Sequence, residues 1–353
     1  MKKTTLLGQL TLTASLLIFN HAASAAIKPC TFPFIDNQRG DTQTCKRWLI
    51  GNKTANNYGE LIQDAGIFTV NGTLNNHGLI DIRYEFFVMG ASLLDNKATG
   101  IINSSDWFRI YDTSRLDNYG TFNFIPRFGN AGTAFDDNQF YLEGTFNNYG
   151  VCRIDDNMKT VDGNGTINNS GTFEVTPRGK FKPFGDDLAN TIIDGLPIYV
   201  QTAGETKVNG FFAVSSIDIQ GGILSGSGTV VSNFDNIIPS KATLSPGSPL
   251  GTLTLTADNN DVICVGCSTD IEIAGASNAD HLHVNGSLYL NNWKLNVQLR
   301  NGYIPPAGTS FNIISADLTS YYGPAPTYNL PKLPAGRTWS VNNTGTTITL
   351  TAN

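Results

Sequence analysis

Short stretches of alternating apolar and polar residues recur along this chain, each closed by an Asn/Gly corner. Leu79-Ile80-Asp81-Ile82, Thr121-Phe122-Asn123-Phe124 and Thr172-Phe173-Glu174-Val175 alternate with period two. That period sends one side of a strand inward and the other outward. The corners read Asn56-Asn57-Tyr58-Gly59, Asn75-Asn76-His77-Gly78, Asp117-Asn118-Tyr119-Gly120, Asn147-Asn148-Tyr149-Gly150 and Asn168-Asn169-Ser170-Gly171. Their second residues fall at 57, 76, 118, 148 and 169, so the steps are 19, 42, 30 and 21 residues. The long step reads as two coils of about 21 residues, the hidden one passing through Gly100-Ile101-Ile102-Asn103. The 30-residue step reads as one coil carrying an inserted loop over 128–139. Repeats of this length stack strand on strand, each coil burying its face against its neighbours.

The expected fold is therefore all-β, a parallel β-helix with coils of about 20 residues. Equivalent Asn57, Asn76, Asn118, Asn148 and Asn169 side chains would lie one strand spacing apart and hydrogen-bond as a ladder. Phe122, Phe146 and Phe173 are expected in the core. The corner glycines are expected to supply positive φ. A helical reading fails, because no sustained apolar spacing of three and four residues follows residue 26. The repeat fades after about residue 180, although Ile198-Tyr199-Val200 and Phe211-Phe212-Ala213-Val214 still read as strands. It sharpens again from Gly222, and further strands are expected up to Thr346–Leu350. The segment holding Pro324, Pro326, Pro331 and Pro334 is expected to be irregular, since proline cannot donate to a ladder.

The first 25 residues have another character. Lys2 and Lys3 precede an interrupted apolar run from Leu6 to Phe19, and Ala23-Ser24-Ala25 offers a cleavage site. This pattern is that of a secretory signal peptide. The expected organisation is a signal peptide over 1–25, an N-terminal cap with a disulfide over 26–50, a β-solenoid over 51–260, and its continuation with a closing cap over 261–353. No later apolar run approaches the ~18 residues of a membrane helix, so no integral membrane segment is expected in the mature chain. Location is expected to be secreted or outer-surface, with the periplasm as the other compartment open to an exported chain.

Charged residues make up only 15% of the chain, and 36 glycines are present. Such a chain needs many tight turns and few solvated helix faces. A net charge of −6 argues against nucleic acid, which requires a basic stripe. The same charge opposes adsorption to anionic lipid. An oxidising compartment favours disulfides among Cys30, Cys45, Cys264 and Cys267. Cys30 with Cys45 would close an N-terminal loop, Cys264 with Cys267 a short one, and Cys152 would remain as a small buried apolar residue. Sequence leaves the connectivity open.

The stretch Gly222–Leu255 resembles bacterial autotransporter passengers and other surface β-solenoid adhesins. The residues that carry the resemblance are Gly226-Ser227-Gly228-Thr229-Val230 and Pro246-Gly247-Ser248-Pro249-Leu250-Gly251-Thr252-Leu253-Thr254. Asp280-His281-Leu282-His283-Val284-Asn285-Gly286 and Leu333-Pro334-Ala335-Gly336-Arg337-Thr338-Trp339-Ser340-Val341 extend it. The family pattern has no residue where Leu250 stands here. The resemblance covers about the last 130 residues. Such passengers continue into a membrane barrel of alternating strands. The sequence to Asn353 contains none, so the expectation is a chain released, periplasmic or retained by a partner.

Candidate chemistry is sparse. Polysaccharide lyases and hydrolases with this architecture use clustered carboxylates, for which Asp136, Asp137, Asp155 and Asp156, and also Asp186-Asp187, are the catalytic candidates. Asp-rich runs also make Asx-turns, and neighbours along a strand face opposite ways. Cys264, Cys267, His281 and His283 form a zinc candidate, against a Cys264–Cys267 disulfide in an oxidising compartment. Tyr58, His77, Tyr119 and Tyr149 occupy one place in the corner unit and would form an outward aromatic row, a binding platform for sugar rings or a protein. The competing role for that row is to shield the Asn ladder. No cofactor is expected, and no nucleotide or triad signature occurs. The expected function is a non-enzymatic, adhesin-like or surface structural solenoid that presents loops and an aromatic/Asn face to a glycan or a host or cell-surface protein. The alternative is a polysaccharide-degrading right-handed β-helix enzyme, and the oligomeric state is open.

Overall fold

Three strands per coil, wound in one direction, give a three-sided parallel β-solenoid. The computed structural model describes residues 28–29, 36–45, 48–51, 53–125, 138–161, 163–183, 196–247, 249–334 and 336–353. Among these residues there is no helix. The first face climbs from Lys28–Pro29 and Thr42–Cys45 through Leu79–Ile82 and Ile101–Ser104 to Lys294–Leu299 and Thr327–Asn329. The second runs from Trp48–Ile50 through Phe86–Val88 and Phe108–Ile110 to Thr309–Ser315. The third runs from Thr54–Asn57 through Leu93–Asn96 and Arg115–Asn118 to Leu318–Tyr322. Thr42–Cys45 and Trp48–Ile50 already pair in parallel with the next coil. Regular winding therefore starts before residue 51. Thr252–Val265 and His281–Asn291 pass from the second face to the third as single bent strands. At the far end, Thr309–Ser315, Thr347–Ala352 and Trp339–Asn343 form an antiparallel sheet.

In-register pairing places like residues in vertical columns. Ile80, Ile102, Phe122, Cys152 and Phe173 make one column of the first face. Phe68, Phe86 and Phe108 stack on the second with ring centroids 4.6 and 5.2 Å apart. Leu74, Leu94, Leu116, Phe146, Ile167 and Tyr199 form a column of the third. All are at most 2% exposed. Each buried aliphatic or aromatic side chain contributes about 1.5–3 kcal/mol of transfer free energy. The columns let every coil supply that only where a neighbour is present.

The column at the end of the third face is polar, and its asparagines are buried. The Nδ2 of Asn37 donates to Asn57 Oδ1 (2.8 Å), and Asn57 to Asn76 (2.7 Å), Asn76 to Asn96 (2.8 Å), Asn96 to Asn118 (2.6 Å), Asn118 to Asn148 (2.8 Å) and Asn148 to Asn169 (2.8 Å). The second Nδ2 proton of each goes to a backbone carbonyl of the following turn, such as Leu79 O from Asn57 (2.9 Å) and Val151 O from Asn118 (2.9 Å). A single carboxamide thus satisfies itself, its neighbour and a corner carbonyl. Asn96 is the member of the hidden coil. Its corner, Asn96-Lys97-Ala98-Thr99-Gly100, is two residues longer and disguises the repeat. The ladder ends at Asn169, whose amide is 3.4 Å from Gln201 Oε1. Beyond Gln201 the column becomes Ile219, Pro239, Cys264 and Leu290. Tyr199, Thr206 and Gln201 close the end as a buried hydrogen-bonded chain.

The corner glycines serve close approach rather than positive φ. Gly59, Gly78, Gly100, Gly120, Gly150 and Gly171 are absent from the positive-φ residues. A Cβ on Gly78 would sit 2.0 Å from Gly59 O, and one on Gly120, Gly150 or Gly171 would sit 2.2 Å from the carbonyl of the glycine below. The sequence-based expectation about φ is corrected accordingly. Only Gly204 and Gly222, later in the same column, take φ of +70° and +76°.

The Pro-Gly and Asp-His motifs meet physically. Asp280 is 1% exposed and accepts backbone amide bonds from Gly251 (3.0 Å) and Glu272 (2.9 Å). A Cβ on Gly247 would lie 2.2 Å from Asp280 Oδ1. Gly247 therefore leaves room for the carboxylate around which the turn folds.

Candidate functional site

The residue after each ladder Asn is aimed outward along the corner between the third and first faces. Its amide bonds the carbonyl of the Asn one coil below: His77 N to Asn57 O, Lys97 N to Asn76 O, Tyr119 N to Asn96 O and Tyr149 N to Asn118 O. Tyr58, His77, Lys97, Tyr119, Tyr149 and Ser170 are thus equivalent by position. Tyr58 stacks on His77 with centroids 4.7 Å apart, and Tyr119 on Tyr149 at 4.6 Å. Lys97 separates the two pairs and forms an ion pair with Asp95. Tyr58, Tyr119 and Tyr149 remain 42–47% exposed. Exposed Ile101 and Val151, each directly after its corner glycine, widen the strip into an apolar ridge. Burial raises the Tyr149 hydroxyl pKa, and the Asp117 charge adds to this.

Stacking has a chemical consequence. At interplanar angles of 13–18° each ring covers a face of its partner. A sugar packs on an open ring face. Pairing covers one face of each ring, which suits a broad protein or glycan contact more than intercalated sugars.

Of the carboxylate candidates, Asp155 and Asp156 are among the described residues. Asp155 accepts from Thr176 Oγ1 (2.6 Å) and pairs with Arg178 (2.8 Å). The Thr176 bond, aided by Arg178 and Arg153 and opposed by burial, holds its pKa below the ordinary value. It is a fully engaged anion at a corner. Asp156 supplies the carbonyl that receives Lys180 N. Asp136, Asp137, Asp186 and Asp187 lie outside the described residues, as does Cys30. Cys45 is buried and disulfide-bonded. Cys264 and Cys267 form a disulfide, which removes the thiolates from the four-ligand zinc arrangement. Register also separates the elements: Cys264 faces Leu290 on the third face, while His283 pairs Thr254 on the second. His281 Nε2 and His283 Nδ1 instead meet Ser315 Oγ at 2.7 and 2.8 Å, tying the last coil to the terminal antiparallel sheet. Cys152 is a buried free thiol with its pKa raised well above the ordinary value by desolvation.

One cluster escaped the sequence reading. Trp107, Arg109 and Tyr111 alternate outward on the second face, beside Phe87 one coil below and Tyr141 one coil above. The Arg109 guanidinium carbon lies 4.5 Å from the Trp107 ring centre and 5.3 Å from that of Phe87. Its Nη1 donates to Tyr111 Oη at 3.0 Å. Tyr111 packs edge-on to Phe87 (5.7 Å) and tilted against Tyr141 (4.9 Å). The signal was available in the period-two spacing of Trp107-x-Arg109-x-Tyr111, but Tyr141 lies beyond an insertion whose length hides the register.

The fold and these surfaces define a class, the three-sided parallel β-solenoid with a buried Asn ladder. No family model matches the chain, and no curated protein matches it.

Proposed function

We propose that this chain is an exported, non-enzymatic solenoid of adhesin-like or surface structural character, which binds a glycan or a cell-surface protein along its side. The observation that carries the reading is the aligned exposure of Tyr58, Ile101, Tyr119, Tyr149 and Val151 on one corner. Aligned apolar exposure of this kind marks interaction surfaces. The ladder beneath supports it, because buried carboxamides pin the corner and fix the ridge before any partner arrives. Preorganisation of this sort lowers the ordering cost of binding. Export rests on the signal-peptide pattern and the disulfides.

The test uses the labelled chain on immobilised glycans and extracellular-matrix proteins, with a Tyr58→Ser/Tyr119→Ser/Tyr149→Ser variant of unchanged thermal stability alongside. Saturable binding that falls about tenfold or more in the variant supports the reading. Release of reducing or unsaturated ends from polygalacturonate would replace it with the lyase or hydrolase alternative. Fractionation of culture fluid, outer surface and periplasm checks the location.

A further inference from the structure

Among the described arginines, Arg39, Arg109 and Arg337 reach no carboxylate; Arg39 is exposed and Arg337 donates to the Pro305 carbonyl, whereas Arg109 sits among aromatic rings. Arg83, Arg115, Arg153, Arg178 and Arg300 each reach a carboxylate. Among the described residues Arg109 has no carboxylate within ion-pair distance, although the chain carries a net charge of −6. Its guanidinium is instead oriented by three aromatic groups: Trp107, Phe87 and the Tyr111 hydroxyl. Its Nε is buried without a hydrogen-bond partner. An unmade bond to a buried charged donor costs more than to a neutral one. A guanidinium offers five donors in a planar fork that matches a carboxylate. With Nε buried and one Nη1 proton on Tyr111, the remaining Nη protons are the donors left for a ligand.

We infer that Arg109 and the rings around it form a receptor for a carboxylate-bearing sugar, so that the second face binds acidic polysaccharide of the uronate type. The inference rests on the proposed role in binding, and names a ligand class and a place different from the corner ridge. The fork pairs the carboxylate, and the half-buried aromatic surfaces of Trp107, Phe87 and Tyr111 receive the apolar face of the pyranose ring. Charge complementarity selects the occupant. Aromatic surface alone accepts neutral sugars, whereas an oriented, uncompensated guanidinium favours an anion. Glu85 and Glu143 border the cluster. Glu143 is engaged by the Asp112 amide (3.1 Å) and the Tyr141 hydroxyl, so it leaves Arg109 unpaired while disfavouring a densely charged polyanion.

The experiment measures binding of the full chain to polygalacturonate, hyaluronate, dextran sulfate, poly-glutamate and neutral dextran at one ionic strength. Binding to the two uronate polymers at least tenfold tighter than to dextran is expected. Arg109→Gln should lose at least tenfold on those polymers, and Arg109→Lys should recover little, because an ammonium lacks the planar fork. Trp107→Ala should weaken the same binding without changing its preference for acid. Circular dichroism must show all variants folded, and the outward position of these side chains makes that the expected result. Equal binding to dextran, no effect of Arg109→Gln, or preference for dextran sulfate or poly-glutamate overturns the inference. Binding to other glycans or proteins that depends on the corner tyrosines would then leave the proposed function standing, while absence of all binding would remove both.

Discussion

Replacing Asn118 tests whether the buried ladder holds the solenoid together. This side chain is fully buried, accepts from Asn96 (2.6 Å) and donates to Asn148 Oδ1 (2.8 Å) and Val151 O (2.9 Å). Asn118→Ala leaves Asn148 Oδ1 without that donor, at about 1–3 kcal/mol for a buried unsatisfied group. Asn96 keeps bonds to Gly100 O (3.2 Å) and Thr121 O (3.1 Å), so its loss is nearer about 1 kcal/mol. The expected destabilisation is about 2–4 kcal/mol. Asn118→Asp has the same shape but places a carboxylate oxygen against two acceptors, or buries a charge, and should cost more than Asn118→Ala. Asn147→Ala is the control. Its side chain is only partly buried, donates to Asp117 (2.8 Å) and accepts from Asn168 (2.9 Å); Asp117 is buried but keeps Arg115, so about 1 kcal/mol is expected, less than at 118. Urea unfolding followed by far-ultraviolet circular dichroism reads the shifts in midpoint, with the slope checked for constancy. Equal midpoints for all three variants, or a milder effect of Asp than of Ala at 118, would refute the reasoning.

Three further outcomes are expected. Gly150→Ala should destabilise severely, since its Cβ would lie 2.2 Å from Gly120 O, while Gly51→Ala, with nothing within 4 Å, should shift the thermal midpoint by about 1–2 °C at most. Cys152 should resist a thiol-alkylating reagent in the native protein and react after denaturation, because the buried thiol is inaccessible and its thiolate disfavoured; mass spectrometry of native protein showing alkylation would contradict its burial. His281 has its pKa lowered by burial and then by His283, so the unfolded chain binds the proton more tightly, and stability should fall as pH drops through 6.5. Asp280, pushed up to about 6 by burial against its two amide bonds, acts oppositely, losing its stabilising proton as pH rises from 3.8 to about 6. Comparing His281→Gln with the wild type cancels the Asp280 contribution, and an identical pH dependence of melting for the two would exclude the His281 effect.

The sequence by itself determined the winding. Alternation such as Thr121-Phe122-Asn123-Phe124 and corners about 20 residues apart have no other way to bury one face, and inward Asn at the strand end has no partner except its repeat. Those features are local or periodic, so they survive in a linear reading. Only the tertiary structure decided why the corners hold glycine, because Gly78 and Gly59 touch through space and not along the chain. It likewise found Asn37 and Asn96 in the ladder, since a two-residue longer corner breaks the spacing while the register restores it. The aromatic row divided at Lys97 for the same reason. Arg109 with Phe87, and Asp280 with Gly251 and Glu272, are pairings across coils. Their partners are chosen by which coil lies above which, a quantity fixed by the sum of all corner and loop lengths between them.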